Sequence, residues 1–340
     1  MSMLSSVRTV RVSNVNGALS WLQCEAELIE KEWRDISPRG LRTLEHRGPV
    51  ITEYVRPYER VLFNPVRDAN PFFHFMESLW ILNGQYDVET LAKYNSGMRN
   101  YSDDGLTFHG AYGYRLRHAF GKDQLLYVID MMKKDPDTRR AVMMIWHPEL
   151  DLGVNSKDLP CNDALMFKLR DGQLDMTVCN RSNDAIWGAY GANAVQFSMI
   201  QEFIAAALRV RVGVYRQVSD SFHIYTDLEV WKRLKNSAPL RDPYYTGEVG
   251  WLPIMLGTDY LDWLAELRLF MAEAPSKYHV PFFDRVARPI RAAWSVYKDT
   301  MTEQNRNSRI THALYLIETC AASDWRKACR EWLERRRDYA

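Results

Sequence analysis

A mixed α/β domain with a helical C-terminal appendage, an α+β sheet packed by helices, is the fold class the sequence predicts. Three observations predict it. Stretches of strand character alternate with helical ones between residues 38 and 225. One segment, Ala192 to Val210, is apolar almost all round, the pattern of a helix enclosed on every side. From Arg285 onward the chain becomes helical and basic, ending Glu334-Arg335-Arg336-Arg337. A main domain over 1–284 and a basic helical extension over 285–340 follow.

In chain order, Ala18, Leu19, Leu22, Ala26, Leu28 and Ile29 draw an apolar stripe, which predicts a helix over 17–36. Residues 38–65, rich in Arg, Gly, Thr and Val, read as a loop followed by extended strands. Pro71 to Leu82 is a buried helix begun by its proline and stopped by Asn83-Gly84. Residues 97–110 are a loop, with Ser102-Asp103-Asp104-Gly105 as turn chemistry. Asp123 to Lys134 is a second helix, closed by Asp135-Pro136-Asp137. Arg140 to Trp146, Leu165 to Arg170 and Leu174 to Asn180 are strands, the last two joined by the Asp171-Gly172 turn. Val212 to Tyr225 returns to strand character.

The composition narrows the function classes. With 340 residues, 46% hydrophobic and 26% charged, the chain has the balance of a soluble globular protein with a sizeable core. A net charge of +1 argues against bulk nucleic-acid binding, and eleven Trp, eighteen Tyr and thirteen Phe suit deep pockets. Cys24, Cys161, Cys179, Cys320 and Cys329 are an odd number without CxxC or Cys/His ligand spacing, which favours neither a disulfide framework nor a metal site. No charged segment followed by an apolar run opens the chain, and runs such as Phe203 to Leu208 are too short to span a bilayer. The expected compartment is the cytoplasm.

The chemistry-bearing stretch is Leu159-Pro160-Cys161-Asn162, with Asn180-Arg181-Ser182-Asn183-Asp184 one strand and one turn away. A thiolate attacks electron-poor carbon and is favoured by a nearby fixed cation, while an Arg-Ser pair suits a phosphate. A lone cysteine is more often a small core residue, so the pair needs company to count. It has company: Glu77 in Met76-Glu77-Ser78, Tyr112-Gly113, Asp135-Pro-Asp-Thr-Arg139-Arg140, and Ser221-Phe-His223-Ile-Tyr225 stand in fixed order around it.

This order and spacing resembles the thymidylate synthase superfamily over most of residues 30–230, and is similar to its phage-type deoxypyrimidine nucleotide hydroxymethylases. The resemblance implies that 1–284 is a catalytic domain in which Cys161 adds to C6 of a pyrimidine nucleotide. C5 then attacks the one-carbon unit of 5,10-methylenetetrahydrofolate. It implies that Arg181 and Ser182 bind the 5′-phosphate, joined by Arg39 or Arg42 (the reading prefers Arg39). It further implies an obligate homodimer in which Arg139 and Arg140 reach the partner's phosphate. Glu77 corresponds to the carboxylate that moves protons around the base, and Tyr112 to a tyrosine near the reacting ring. His223 and Tyr225 correspond to the pair on the sugar 3′-hydroxyl, and Asp184 with Gly188 to the folate contacts. Asn193 reads the pyrimidine edge provided one extra residue is admitted between Gly188 and Asn193; otherwise Ala192 stands there.

Three departures bear on the product. Asn162 follows the nucleophile where the synthases usually carry histidine, the segment Tyr94 to Asp104 has no tryptophan, and the chain ends in an arginine-rich helix instead of an apolar tail. A wetter site lets water capture the exocyclic methylene and yields a 5-hydroxymethyl product. The expected function is therefore a dUMP hydroxymethylase, since an Asn amide suits uracil. The alternatives are a dCMP hydroxymethylase, a reductive synthase making dTMP, and an inactive nucleotide- or RNA-binding homologue.

Overall fold

A computed structural model describes residues 6–255, 257–274, 277–299 and 305–338, apart from the side chains of Arg39 and Asp338. Eight strands form one sheet: β1 (Arg8–Val12), β2 (Arg34–Ile36), β3 (Thr43–Glu45), β4 (Val50–Tyr54), β5 (Val142–Met144), β6 (Asn162–Arg170), β7 (Gln173–Asp184) and β8 (Arg211–Tyr225). The order is β1-β4-β8-β7-β6-β5, with β3 on the far end of β8 and β2 on β3. The mixture is literal: β1–β4 and β7–β8 are parallel, the other pairings antiparallel.

Strand alternation assigns the faces. Val50, Tyr54, Leu165, Phe167, Val178 and Tyr215 point into the helical layer. The central helix Asn193–Ala207 lies there, tied to the sheet where Gln201 Nε2 donates to Leu174 O at 2.8 Å. The Pro71–Leu82 helix packs on it with all of its residues buried. Asn70 caps that helix by accepting from the amide of Phe73. No described helix is long and apolar enough to cross a membrane.

The C-terminal helices Arg288–Lys298, Arg306–Ile317 and Ser323–Asp338 close over the outer side of the Pro71–Leu82 helix. Phe72 meets Trp294 at 5.2 Å and Trp332 at 5.7 Å between ring centroids, and Phe75 meets Trp325 at 5.0 Å. Cys329 is fully buried in this layer. At its end Arg335 and Arg336 both pair with Asp68, at 3.1 and 2.8 Å.

Several boundaries differ from the sequence reading. The 17–36 segment is two helices, Val15–Cys24 and Ala26–Glu32, broken at Glu25, and its last residues are β2, drawn out by pairing with β3. Of Arg140 to Trp146 only Val142–Met144 is strand, because the amides of Ile145 and Trp146 both turn to Asp163 O. The strand expected to end at Asn180 runs to Asp184, held by β8. Within the 97–110 loop Ser96–Tyr101 makes short 3-10 turns. Strand β1 and the Tyr260–Met271 helix carried no sequence expectation.

Candidate active site

The parallel pairing of β7 with β8 places Ser182 beside Ser221 and Asp184 beside His223. The antiparallel pairing of β6 with β7 brings the start of β6 against Asn180. Cys161 stands immediately before β6, half-buried, its carbonyl accepting from the Arg181 amide at 3.1 Å. Arg181 folds back over it: Nε donates to Pro160 O at 2.8 Å, Nη2 to Leu159 O at 3.1 Å, and Nη2 lies 3.9 Å from Cys161 Sγ. The guanidinium is 5.4 Å from the Trp146 ring centroid. A pinned cation thus faces the sulfur while most of the Arg181 side chain stays exposed to solvent.

Behind the thiol runs a chain of buried amides. Asn162 Nδ2 donates to Asn193 Oδ1 at 3.4 Å, Asn193 Nδ2 to Asn183 Oδ1 at 3.0 Å, and Asn183 Nδ2 to Gln217 Oε1 and Ser219 Oγ at 2.7 and 2.9 Å. Residues Ala185–Ala192 form wide π-helical turns, with Tyr190 and Gly191 leaving helical backbone angles. A π-turn is wider than an α-turn, and this one ends at Asn193, the first residue of the central helix. Gly188 sits against this network: a Cβ there would stand 2.8 Å from Asn183 Oδ1 and 3.1 Å from Asn193 Nδ2.

Glu77 projects from the Pro71–Leu82 helix into the same region. Burial pushes its carboxyl up to about 7, a hydrogen bond from Gln196 opposes the rise, and nearby Asp158 adds to it. Asp158, three residues before the thiol, is itself raised to about 6, by burial against the opposing hydrogen bond from the Gly110 amide at 2.8 Å. Tyr112 stacks on Phe197 at 5.8 Å, and its hydroxyl is raised well above its ordinary value by burial and by the facing Cys161 and Asp158. Glu77 Oε2, Asn162 Oδ1 and Gln196 Oε1 are buried without a hydrogen-bond partner among the described residues.

Asp184 divides its carboxylate. One oxygen caps the following turn by accepting from the amides of Ile186 and Trp187, and the other is buried without a partner among the described residues. Burial raises this carboxyl. Arg67, also buried, donates from Nε to Ile186 O at 3.1 Å and lies 3.9 Å over the exposed Trp187 ring. Burial lowers Arg67 to about 10, and burial with Arg67 lowers His74 to about 3. At the far end of β8, His223 Nδ1 lies 3.2 Å from Ser221 O and its ring stands edge-on to Tyr225 at 5.2 Å.

Of the residues singled out in the sequence, Cys161, Asn162, Tyr112, Glu77, Arg181 and Asn193 are gathered around one centre. Asp184 and Gly188 border it, with Ser182, His223 and Tyr225 along the adjoining strands. Arg139 and Arg140 are not brought there. They are exposed beside the other end of β6, where Ala141 O accepts from Phe167 N. The side chain of Arg39 lies outside the described residues, while Arg42 pairs with Asp35 at 3.7 Å. No motif marks Arg67, Trp187 or Asp158; only a carboxylate in the loop leading to the thiol could have drawn attention to the last. Among the described residues no group of three His, Cys, Asp or Glu is placed to hold a metal ion.

Residues 69–241 match the family model described as thymidylate synthase. The chain is 48% identical over 324 residues to a deoxyuridylate hydroxymethyltransferase of Pseudomonas phage M6, covering 89% of this chain and 90% of that one. A deoxyuridylate hydroxymethyltransferase of Bacillus phage SP01 is 47% identical over 208 residues, 58% of this chain and 54% of its own. A putative thymidylate synthase of Methanosarcina barkeri is 33% identical over 195 residues, 55% of this chain and 83% of its own.

Proposed function

The chain belongs to the thymidylate synthase family, and from that premise we propose that it transfers a one-carbon unit from methylenetetrahydrofolate to C5 of dUMP and releases 5-hydroxymethyl-dUMP. The observation that carries this reading is the pinned Arg181 cation 3.9 Å from Cys161 Sγ, with the buried Glu77 carboxyl in the same centre. Cys161 attacks C6 of the pyrimidine, and Arg181 with Ser182 holds the 5′-phosphate. Glu77, whose carboxyl is poised near neutrality, moves protons at the ring. Tyr112 lies near the reacting ring, and His223 with Tyr225 takes the sugar.

Base reading falls to Asn193. Its amide already accepts once, from Asn162, and donates once, to Asn183. An amide accepts twice and donates twice, so one lone pair and one N–H remain, the pair that N3–H and O4 of uracil require. The folate residues fit their ligand. The buried second oxygen of Asp184 is an acceptor for a pterin N–H, and Trp187, stacked on Arg67, offers an aromatic surface beside Gly188. Methylenetetrahydrofolate supplies the carbon at the formaldehyde level. Asn162, buried and polar beside Asn193, keeps a hydrogen-bonding wall next to the ring and favours water as the last reactant.

The working form is a homodimer acting in the cytoplasm. On the sheet face turned away from the helices, Met144, Ala164, Cys179, Val218 and Ile51 stand in one registered row, partly or fully exposed. Val142 and Met166, at 40% exposure each, extend it. An apolar row of this size on an uncovered sheet face suits a second sheet. Arg140, level with Lys168, is six residues of extended chain from Asn162, roughly 20 Å, so it serves a phosphate only in another copy. Val218→Arg is expected to convert the dimer to monomer and to lower turnover at least about tenfold, read by analytical ultracentrifugation with a parallel assay. A dimer that persists would displace the interface from this face.

Incubation with dUMP and methylenetetrahydrofolate, followed by product mass, tests the reaction. The expected result is dUMP plus the elements of CH2O, with tetrahydrofolate released. A methyl product with dihydrofolate would replace this reading by reductive synthesis.

A further inference from the structure

Two carboxyl groups raised by burial, Glu77 and Asp158, stand at this site, and the reading above uses one. Asp158 belongs to a braced loop. Its backbone N–H donates to Ser156 Oγ at 3.1 Å, and Ser156 Oγ donates to Asp103 Oδ2 at 2.6 Å. Gly110 donates its amide to Asp158 Oδ2, and a Cβ on Gly110 would stand 2.4 Å from Asp158 O, so the approach depends on that glycine. The groups facing Asp158 are His109, Arg115, Asp103, Glu77 and Tyr112. Arg115 and His109 are themselves held by Asp151. Three acceptors of the site have no partner among the described residues: Glu77 Oε2, on the residue Asp158 faces, Gln196 Oε1, on the residue hydrogen-bonded to Glu77, and Asn162 Oδ1, on the residue hydrogen-bonded to Tyr112; these residues are 8%, 4% and 0% exposed. Unsatisfied acceptors in an enclosed polar space are where a water belongs.

Resting on the hydroxymethylase reading, we propose that Asp158 is the base for the water that completes the reaction. The water oxygen bonds to the exocyclic methylene carbon, and its proton passes to the Asp158 carboxylate. The electron pair of the methylene double bond moves onto the ring carbonyl. Collapse of that enolate restores the C5–C6 double bond and breaks the C6–S bond, which returns the thiolate to Cys161. Tetrahydrofolate has left before this step, and nothing is oxidised or reduced. Burial raises both neighbouring carboxyls, Asp158 to about 6 and Glu77 to about 7, which brings each into the range where it can exchange a proton near neutral pH.

The test separates steps before water from the step that uses it. Asp158→Asn is given [5-³H]dUMP and methylenetetrahydrofolate. In a single turnover with enzyme in excess, the rate of tritium release, which reports loss of the C5 proton, is expected to stay within about threefold of the parent, and the rate of hydroxymethyl formation to fall about 100-fold. Added thiol, which needs no base, then diverts the intermediate into a 5-thiomethyl product. Unchanged hydroxymethyl formation, or tritium release lost in parallel with it, overturns the proposal. Should the variant not fold, the parent enzyme decides: the single-turnover rate of hydroxymethyl formation relative to that of tritium release must rise through about pH 6, and a flat ratio of rates refutes the assignment. A parent enzyme that makes dTMP and dihydrofolate instead would remove the hydroxymethylase reading itself, an outcome visible before any variant is made.

Discussion

Cys161→Ser is expected to lower turnover by about 10⁴-fold or more and to leave no covalent complex with 5-fluoro-dUMP after denaturation. The reason is chemical. A serine hydroxyl at this position, even beside the Arg181 guanidinium, loses its proton far less readily than a thiol. The fold should tolerate the change, because Cys161 is half-buried and serine keeps a donor for the long contact to Leu159 O at 3.9 Å. Intact-mass spectrometry of the denatured protein reads the adduct, and a thermal melt within about 2 °C of the parent checks the fold. Turnover close to that of the parent would remove Cys161 from the chemistry.

Glu77→Gln is expected to move activity and stability in opposite directions. Activity falls about 10²- to 10⁴-fold, the usual scale for a lost proton-transfer group. Stability rises, and only in one pH window. The Glu77 carboxyl titrates near 7 in the folded chain against an ordinary 4.5, so the folded state binds its proton more tightly than the unfolded chain. Stability therefore declines as pH climbs from about 4.5 to 7, and the whole cost, about 3 kcal/mol, is present above that. Glutamine carries no such charge. Urea unfolding should find variant and parent alike near pH 4 and the variant more stable by up to about 3 kcal/mol at pH 8. Equal stability at both pH values would mean that Glu77 is not the buried, charge-starved group described.

Elements whose signals are local were legible in the sequence. The Pro71–Leu82 helix carries its own start, Asn70 and Pro71, and the helix after Asp123 is capped by that side chain at Leu126 N. The β6–β7 hairpin is written in Asp171-Gly172, both at positive φ, 50° and 70°. Elements created by distant pairing were not legible. Arg34–Ile36 continues a helical stripe in sequence and becomes a strand only because Thr43–Glu45 lies alongside. The same division runs through the site. Cys161, Arg181 and Asp184 announce themselves by spacing, while Asp158 gains meaning only where two other segments bring Glu77, and Gly110 with Tyr112, around it.

The clamp of Arg335 and Arg336 on Asp68 joins residues 267 and 268 positions apart. Asp68, at φ 46°, holds a left-handed backbone next to Arg67, and Arg67 in turn props Trp187 and Ile186. The platform beside Asp184 is thus completed by one of the longest loop closures in the molecule. The support of that platform therefore includes the last described helix of the chain: a chain ended before Arg335 lacks both cations that hold Asp68.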